Sequence, residues 1–119
     1  MNVNKFREII KRREYVEEIS QGEWADGIEE CQKQEIEILS EDIRSTIDFL
    51  KTECSANEYA WISEVFEDVI ERVPSAELFQ CYKDLMLKYP DEYSTYNIAY
   101  SIEAAESILR WEEEHGKKS

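Results

Sequence analysis

Four carboxylates in the segment ISEVFEDVIERV, residues 62–73, have the spacing needed to act together on a charged partner. They follow an i, i+3, i+4, i+7 pattern, which places them on one stripe of an α-helix. The apolar residues of the same segment fall on the opposite side of the helical wheel. Like charges at these spacings weaken a helix, so folding alone gains nothing from the row. The acids are Glu64, Glu67, Asp68 and Glu71, and the apolar residues include Ile62, Val65, Phe66, Val69 and Val73.

Two acidic segments of the chain contain no basic residue. Residues 53–71 hold six acids without a Lys or Arg, and residues 14–30 hold seven. A helix face that is only solvated usually mixes charges of both signs. The two segments therefore favour a surface that meets a cationic partner, with a solvated acidic face as the alternative. The sequence leaves open which segment makes the contact.

The charge of the whole chain narrows the class of partner. The 119 residues carry a formal net charge of −14, although the first 13 residues hold five bases and one acid. Phosphate is repelled by such a body, so we expect no direct nucleic-acid binding. A basic protein would be attracted, and quickly. The bases among the first 13 residues can be solvated or can pair with acids elsewhere in the chain. RNA contact and self-association are the remaining alternatives for these bases.

The sequence lacks the residue patterns of catalytic and metal sites. Di-iron bundles use a Glu-x-x-His motif on each of two helices, whereas this chain has one histidine, His115, near its end. A Ser or Cys nucleophile would need a neighbouring base, and a bound phosphate would need a Gly-rich loop. No calcium-loop pattern is present either. We therefore expect no enzyme activity, no metal and no cofactor.

Aromatic residues border the acidic stripe. Trp61 falls between the acidic and apolar faces, so it is either a core-edge residue or an exposed anchor. The segment YPDEYSTYNIAY places four tyrosines around one turn, where they either pack or form a second contact surface. The predicted partner-binding residues are Glu58, Trp61, Glu64, Glu67, Asp68, Glu71, Tyr93 and Tyr96.

Helical periodicity predicts the elements that position these residues. Apolar spacing predicts helices over residues 5–20, 23–39, 55–73, 74–89 and 94–116, and a further helix capped by Ser40. Ser55 and Glu58 match a capping box, and Pro74 and Pro90 separate helices. The chain is thus predicted to be one all-α domain over residues 1–119, a bundle of five to six antiparallel helices. A short helical-repeat-like array is the alternative.

Cysteine usage and hydropathy favour a cytoplasmic protein. Cys31, Cys54 and Cys81 lie far apart with no CxxC motif, which predicts reduced, buried thiols and a reducing compartment. No uninterrupted apolar run is long enough to span a membrane, and the start of the chain has no apolar signal core. We expect no membrane partner.

The second half of the chain resembles a family of bacterial proteins. A Trp-led acidic helix, a Ser-led helix ending in KYP, and YNI opening an amphipathic helix occur in that order between Tyr59 and Glu106. This order resembles immunity proteins of polymorphic toxin systems, in particular those of contact-dependent growth inhibition. The resemblance implies a protein that binds and blocks the toxic C-terminal domain delivered by a sibling cell. Many such toxins are nucleases, which are basic where they hold phosphate.

Charge and resemblance together suggest one hypothesis. The chain would be a stoichiometric, non-catalytic inhibitor that covers a basic toxin domain with a row of carboxylates. It would act in the cytoplasm of a bacterium. The alternative is an acidic helical adaptor that binds a cytosolic protein unrelated to toxins. Neither hypothesis identifies the toxin, distinguishes active-site from exosite blocking, or gives the oligomeric state.

Overall fold

The computed structural model describes residues 1–21 and 23–115, which form eight α-helices. Gly116, the predicted end of the last helix, lies outside the described residues. The helices are α1 (Val3–Ser20), α2 (Ala25–Glu41), α3 (Ile43–Thr52), α4 (Ala56–Ile62), α5 (Phe66–Arg72), α6 (Ala76–Lys88), α7 (Pro90–Thr95) and α8 (Ile98–His115).

The all-α class is confirmed, but the number of helices differs from the predicted five to six. The described ranges contain no β-strand. One additional helix arises because the predicted helix over residues 55–73 is divided into α4 and α5. A second is α7, which begins at Pro90 in the predicted link and includes Ser94, so the last helix begins at Ile98 and the predicted start near Ser94 is wrong. Proline is favoured at a first helical position because its fixed φ suits the helix and its missing N–H is not needed there.

The division between α4 and α5 lies at residues 63–65. The backbone amides of Glu64 and Val65 donate to carbonyls only three residues back, at 3.1 and 3.0 Å. The Ser63 hydroxyl donates to the Ala60 carbonyl at 2.6 Å. Bonds of this kind tighten the backbone into a turn and interrupt the regular α-helical spacing. Glu64 therefore lies in a turn, and the other three acids of the stripe lie on α5.

The boundary between α2 and α3 differs from the prediction that Ser40 caps the third helix. Ser40 lies inside α2, is buried, and donates its hydroxyl to the Ile36 carbonyl. Asp42 is the cap instead, since its carboxylate accepts the Ser45 amide. Asp and Ser are both good caps, so local preference alone could not separate them.

Two predicted helix starts are confirmed. The Ser55 hydroxyl accepts the Glu58 amide at 3.2 Å and the Glu58 carboxylate accepts the Ser55 amide at 2.9 Å, which completes the capping box. Ser75 caps α6 by accepting the Leu78 amide at 3.1 Å. Each cap satisfies an amide that the helix leaves free at its start.

One cluster of buried side chains joins the helices. Helix α1 packs against α2, α3 against α6, and α5 against both α2 and α8. The rings of Phe66 and Tyr82 stack at 3.7 Å between centroids, and Tyr59 meets Tyr82 edge-on at 5.4 Å. Most residues of the predicted apolar faces belong to this core or pack against it, but Ile19 and Trp24 are exposed. All three cysteines are buried and free, as predicted.

Candidate functional site

Three of the four stripe carboxylates lie on the surface of α5. Asp68 and Glu71 are exposed and Glu67 is half-buried. Within the described ranges, none of the three forms an ion pair or accepts a side-chain hydrogen bond. The exposed Arg72 follows them on the same helix but does not pair with them. These acids keep their full capacity to bind a cation.

The fourth carboxylate, Glu64, is held by a base of α1. Arg13 donates from Nε to Glu64 Oε1 at 3.1 Å and from Nη2 to Oε2 at 2.8 Å. The Arg13 residue is only 3% exposed. Two parallel bonds between a guanidinium and a carboxylate are directional as well as strong. Glu64 is therefore neutralised within the chain, unlike the acids of α5.

Glu58 has a structural task that uses its carboxylate. It is buried, completes the capping box, and accepts a hydrogen bond from Arg7 Nε at 2.7 Å. Burial opposes the charged form, but the hydrogen bonds from Arg7 and Ser55 outweigh it and hold the Glu58 pKa below its ordinary value. A partner could reach this carboxylate only by displacing Arg7.

A cleft of about 440 Å³ brings several predicted contact residues together. It lies between the C-terminal half of α1, helix α4 and the turn from α7 into α8. Trp61, Glu64 and Tyr96 belong to its lining and were predicted. Its lining also includes Glu17, Asn57, Asn97 and Tyr100, which were not among the predicted contact residues.

Trp61 serves both as a core-edge residue and as a wall of the cleft. Its indole Nε1 donates to Glu14 Oε2 at 3.0 Å, and the same oxygen accepts Asn57 Nδ2 at 3.0 Å. The guanidinium carbon of Arg13 lies 4.9 Å from the centroid of the indole ring. This distance is within the range of a cation–π contact. Trp61 is therefore a half-buried residue at the edge of the core that also lines the cleft, and its role as an anchor for a partner stays a prediction.

The tyrosine-rich segment divides into packed and exposed residues. Tyr89 donates its hydroxyl to the Cys54 carbonyl at 2.7 Å, and Tyr93 is half-buried against the core. Tyr96 and Tyr100 are 59% and 65% exposed. Tyr96 and Tyr100 therefore offer aromatic surface to a ligand, whereas Tyr93 offers little.

A buried acid lies behind the Arg13–Glu64 pair. Glu35 of α2 is 0% exposed, and neither of its carboxylate oxygens has a hydrogen-bond partner in the described part of the chain. Burial, and then the negative charge of Glu64, raise the Glu35 pKa to about 8, although Arg13 acts in the opposite direction. The group is therefore neutral at pH 7.

No group of three or more His, Cys, Asp or Glu side chains in residues 1–21 and 23–115 has the arrangement to hold a metal ion. No helix of the described chain combines the length and apolar character needed to cross a membrane.

Comparison of the chain with protein-family models, curated proteins and solved structures finds no match. The geometry of the α5 acids and of the cleft is therefore the basis for a functional proposal.

Proposed function

We propose that this protein is a stoichiometric, non-catalytic inhibitor that binds a basic toxin domain through its acidic surface. The observation that carries the proposal is the set of three α5 carboxylates, Glu67, Asp68 and Glu71, that have no internal cation among the described residues. The resemblance of the segment between Tyr59 and Glu106 to immunity proteins supports a toxin as the partner. A nuclease toxin is the preferred class, because its phosphate-binding surface must be rich in Lys and Arg.

The distribution of the protein's own bases supports the same proposal. Arg7 pairs with Glu58, Arg13 pairs with Glu64, and Arg44 pairs with Glu77. These three arginines therefore pair with acids outside α5, and none of them pairs with Glu67, Asp68 or Glu71. A row of fixed carboxylates can occupy the surface where a nuclease holds its substrate, and its field raises the rate of association with a basic partner.

Growth rescue tests the proposed function. The protein is co-expressed in bacteria with each member of a panel of basic nuclease toxin domains, and growth is scored. We expect rescue from one toxin domain and a one-to-one complex with it in solution. The adaptor alternative would be supported instead if this protein restores growth against no toxin and a pull-down from the source cell captures a different protein that binds it tightly.

Charge neutralisation tests the α5 surface. The triple variant Glu67→Gln, Asp68→Asn, Glu71→Gln is compared with a control that loses the same charge on α2 and α3: Glu37→Gln, Glu41→Gln, Asp48→Asn. Exposed ion pairs contribute about 0.2–1 kcal/mol each, so the α5 variant should bind the toxin domain about tenfold more weakly at low salt. If both variants fold correctly and bind the toxin domain with equal affinity, the proposal that the α5 acids bind the toxin is contradicted.

A further inference from the structure

The cleft between α1, α4 and the start of α8 has the size of a receptor for one side chain. Its volume is about 440 Å³, near the lower end of the range for small-molecule sites. It is concave and lies beside the turn that leads into α5, because Glu64 belongs to both. A group bound there would therefore be close to the acidic surface of the proposed function.

The cleft carries an excess of negative charge. Glu17 and Glu64 line it, and none of the Lys and Arg residues that the structure describes does. Arg13 beneath them is bonded to both, so a single guanidinium faces two carboxylates. Glu14, which accepts the Trp61 indole, adds a third carboxylate close behind the wall. The surroundings of the cleft therefore favour a bound cation.

One carboxylate of the lining has an oxygen free to bind a ligand. Arg13 Nη2 donates to Glu17 Oε1 at 3.3 Å, whereas Glu17 Oε2 accepts no hydrogen bond from the described residues. The Glu17 side chain is 43% exposed, so a ligand can reach it from solvent. Charge-assisted hydrogen bonds to such an oxygen are among the stronger polar contacts in proteins.

Aromatic side chains form the rest of the cation-binding surface. Tyr96 and Tyr100 line the cleft and remain largely exposed. Rings of this kind attract cations to their faces. Trp61 already has the guanidinium of Arg13 within 4.9 Å of its ring centroid, so the same wall holds one such contact within the chain.

We propose that the cleft receives an arginine side chain of the bound basic protein, with its guanidinium donating to Glu17 and stacking on Tyr96 or Tyr100. This inference rests on the proposed function for the identity of the partner. Arginine suits the cleft better than lysine, because its planar and weakly hydrated guanidinium both stacks on rings and donates several hydrogen bonds. Such a buried arginine would be a hot spot of the complex.

A small probe tests the cleft without the toxin. Nα-acetyl-arginine amide is titrated into the ¹⁵N-labelled protein and followed by NMR, with Nα-acetyl-citrulline amide as the neutral probe of the same shape. We expect a saturable shift of the Trp61 indole signal with the arginine probe, little shift with citrulline, and no shift of the Trp24 and Trp111 indoles. Equal binding of arginine and citrulline, or no binding, would overturn the proposal.

Neighbouring substitutions provide matched controls. Glu17→Gln should lower the affinity for the arginine probe about tenfold. Glu18→Gln, one residue along α1 and outside the cleft lining, should leave that affinity unchanged. Tyr96→Ala with Tyr100→Ala should also weaken it, whereas the exposed Tyr15→Ala should not. Nα-acetyl-lysine amide binding as tightly as the arginine probe would overturn the preference for a guanidinium.

The experiments distinguish failure of the cleft proposal from failure of the proposal that the α5 acids bind the toxin. Failure of the arginine probe contradicts the cleft even if the α5 variant loses toxin binding. If the probe binds and the α5 and control variants have equal affinities for the toxin domain, arginine binding in the cleft is supported and toxin binding by the α5 acids is contradicted.

Discussion

Glutamates in this protein have different roles because their surroundings differ. Glu58 is a buried member of the capping box that also binds Arg7, Glu64 pairs with Arg13, and Glu67 has no ion-pair partner among the described residues. Glu35 is buried without a partner in the described ranges, and its pKa is raised to about 8. The surroundings thus shift the pKa values of Glu58 and Glu35 in opposite directions.

The raised pKa of Glu35 predicts a specific dependence of stability on pH. Its pKa is about 8 in the folded protein and near 4.5 in the unfolded chain. Between these values only the folded state keeps the proton, so the free energy of unfolding falls as pH rises, by up to about 1.4 kcal/mol per pH unit from this group. Below pH 4.5 and above pH 8 the contribution of Glu35 is flat.

The variant Glu35→Gln isolates this effect, because the amide has the shape of the protonated acid and cannot ionise. Urea unfolding from pH 5 to pH 8 should show that the variant gains stability relative to the wild type as pH rises. Glu37→Gln on the exposed side of the same helix is the control and should show no such gain. A constant difference between Glu35→Gln and the wild type would contradict the raised pKa.

Helix α4 is held in place by its first turn. It has only seven residues, too few for a stable isolated helix, so capping and packing must supply its stability. Ser55 and Glu58 form the capping box, and Arg7 of α1 binds the same glutamate. One local motif thus begins the helix and ties it to α1, which places Trp61 at the cleft.

Removing the cap should destabilise the whole domain. Ser55→Ala deletes the acceptor of the Glu58 amide and should lower the free energy of unfolding by about 1 kcal/mol. Chemical denaturation of both proteins measures the difference. Ser107→Ala on the exposed surface of α8 is a matched control, and we expect a change of less than about 0.5 kcal/mol there. Equal effects at the two sites would mean that the capping box does not stabilise α4.

The net charge of −14 affects the molecule as a whole. Only five ion pairs join described residues, so most acids repel one another across the surface. Self-repulsion of this kind destabilises a compact state and is reduced by salt. The same field would attract a basic partner, so the charge that weakens the free protein would favour the proposed complex.

Stability should therefore rise with moderate salt. Between about 10 mM and 150 mM NaCl the screening length falls from about 30 Å to about 8 Å, which removes most long-range repulsion. We expect a higher Tm at 150 mM NaCl by differential scanning calorimetry. The variant Glu67→Gln, Asp68→Asn, Glu71→Gln should gain less from salt than the wild type. A lower Tm at 150 mM would show that internal ion pairs outweigh the repulsion.

Local sequence signals predicted much of the fold. Apolar periodicity identified the buried faces, and Ser55 and Ser75 marked the starts of α4 and α6, because both signals depend on residues within one or two turns. The turn at residues 63–65 and the cap at Asp42 were missed. In both places the choice between a continued helix and a turn depends on hydrogen bonds of similar strength.

The sequence by itself determined the all-helical class, the acidic character and the residues available for the core, because these depend on composition and short-range spacing. Only the tertiary structure decided which carboxylates are free and which residues form the cleft. Arg13 and Glu64 are 51 residues apart in the chain, yet their side chains lie 2.8 Å apart. An ion pair of that kind depends on how α1 lies against the turn between α4 and α5, which residue spacing along the chain cannot predict.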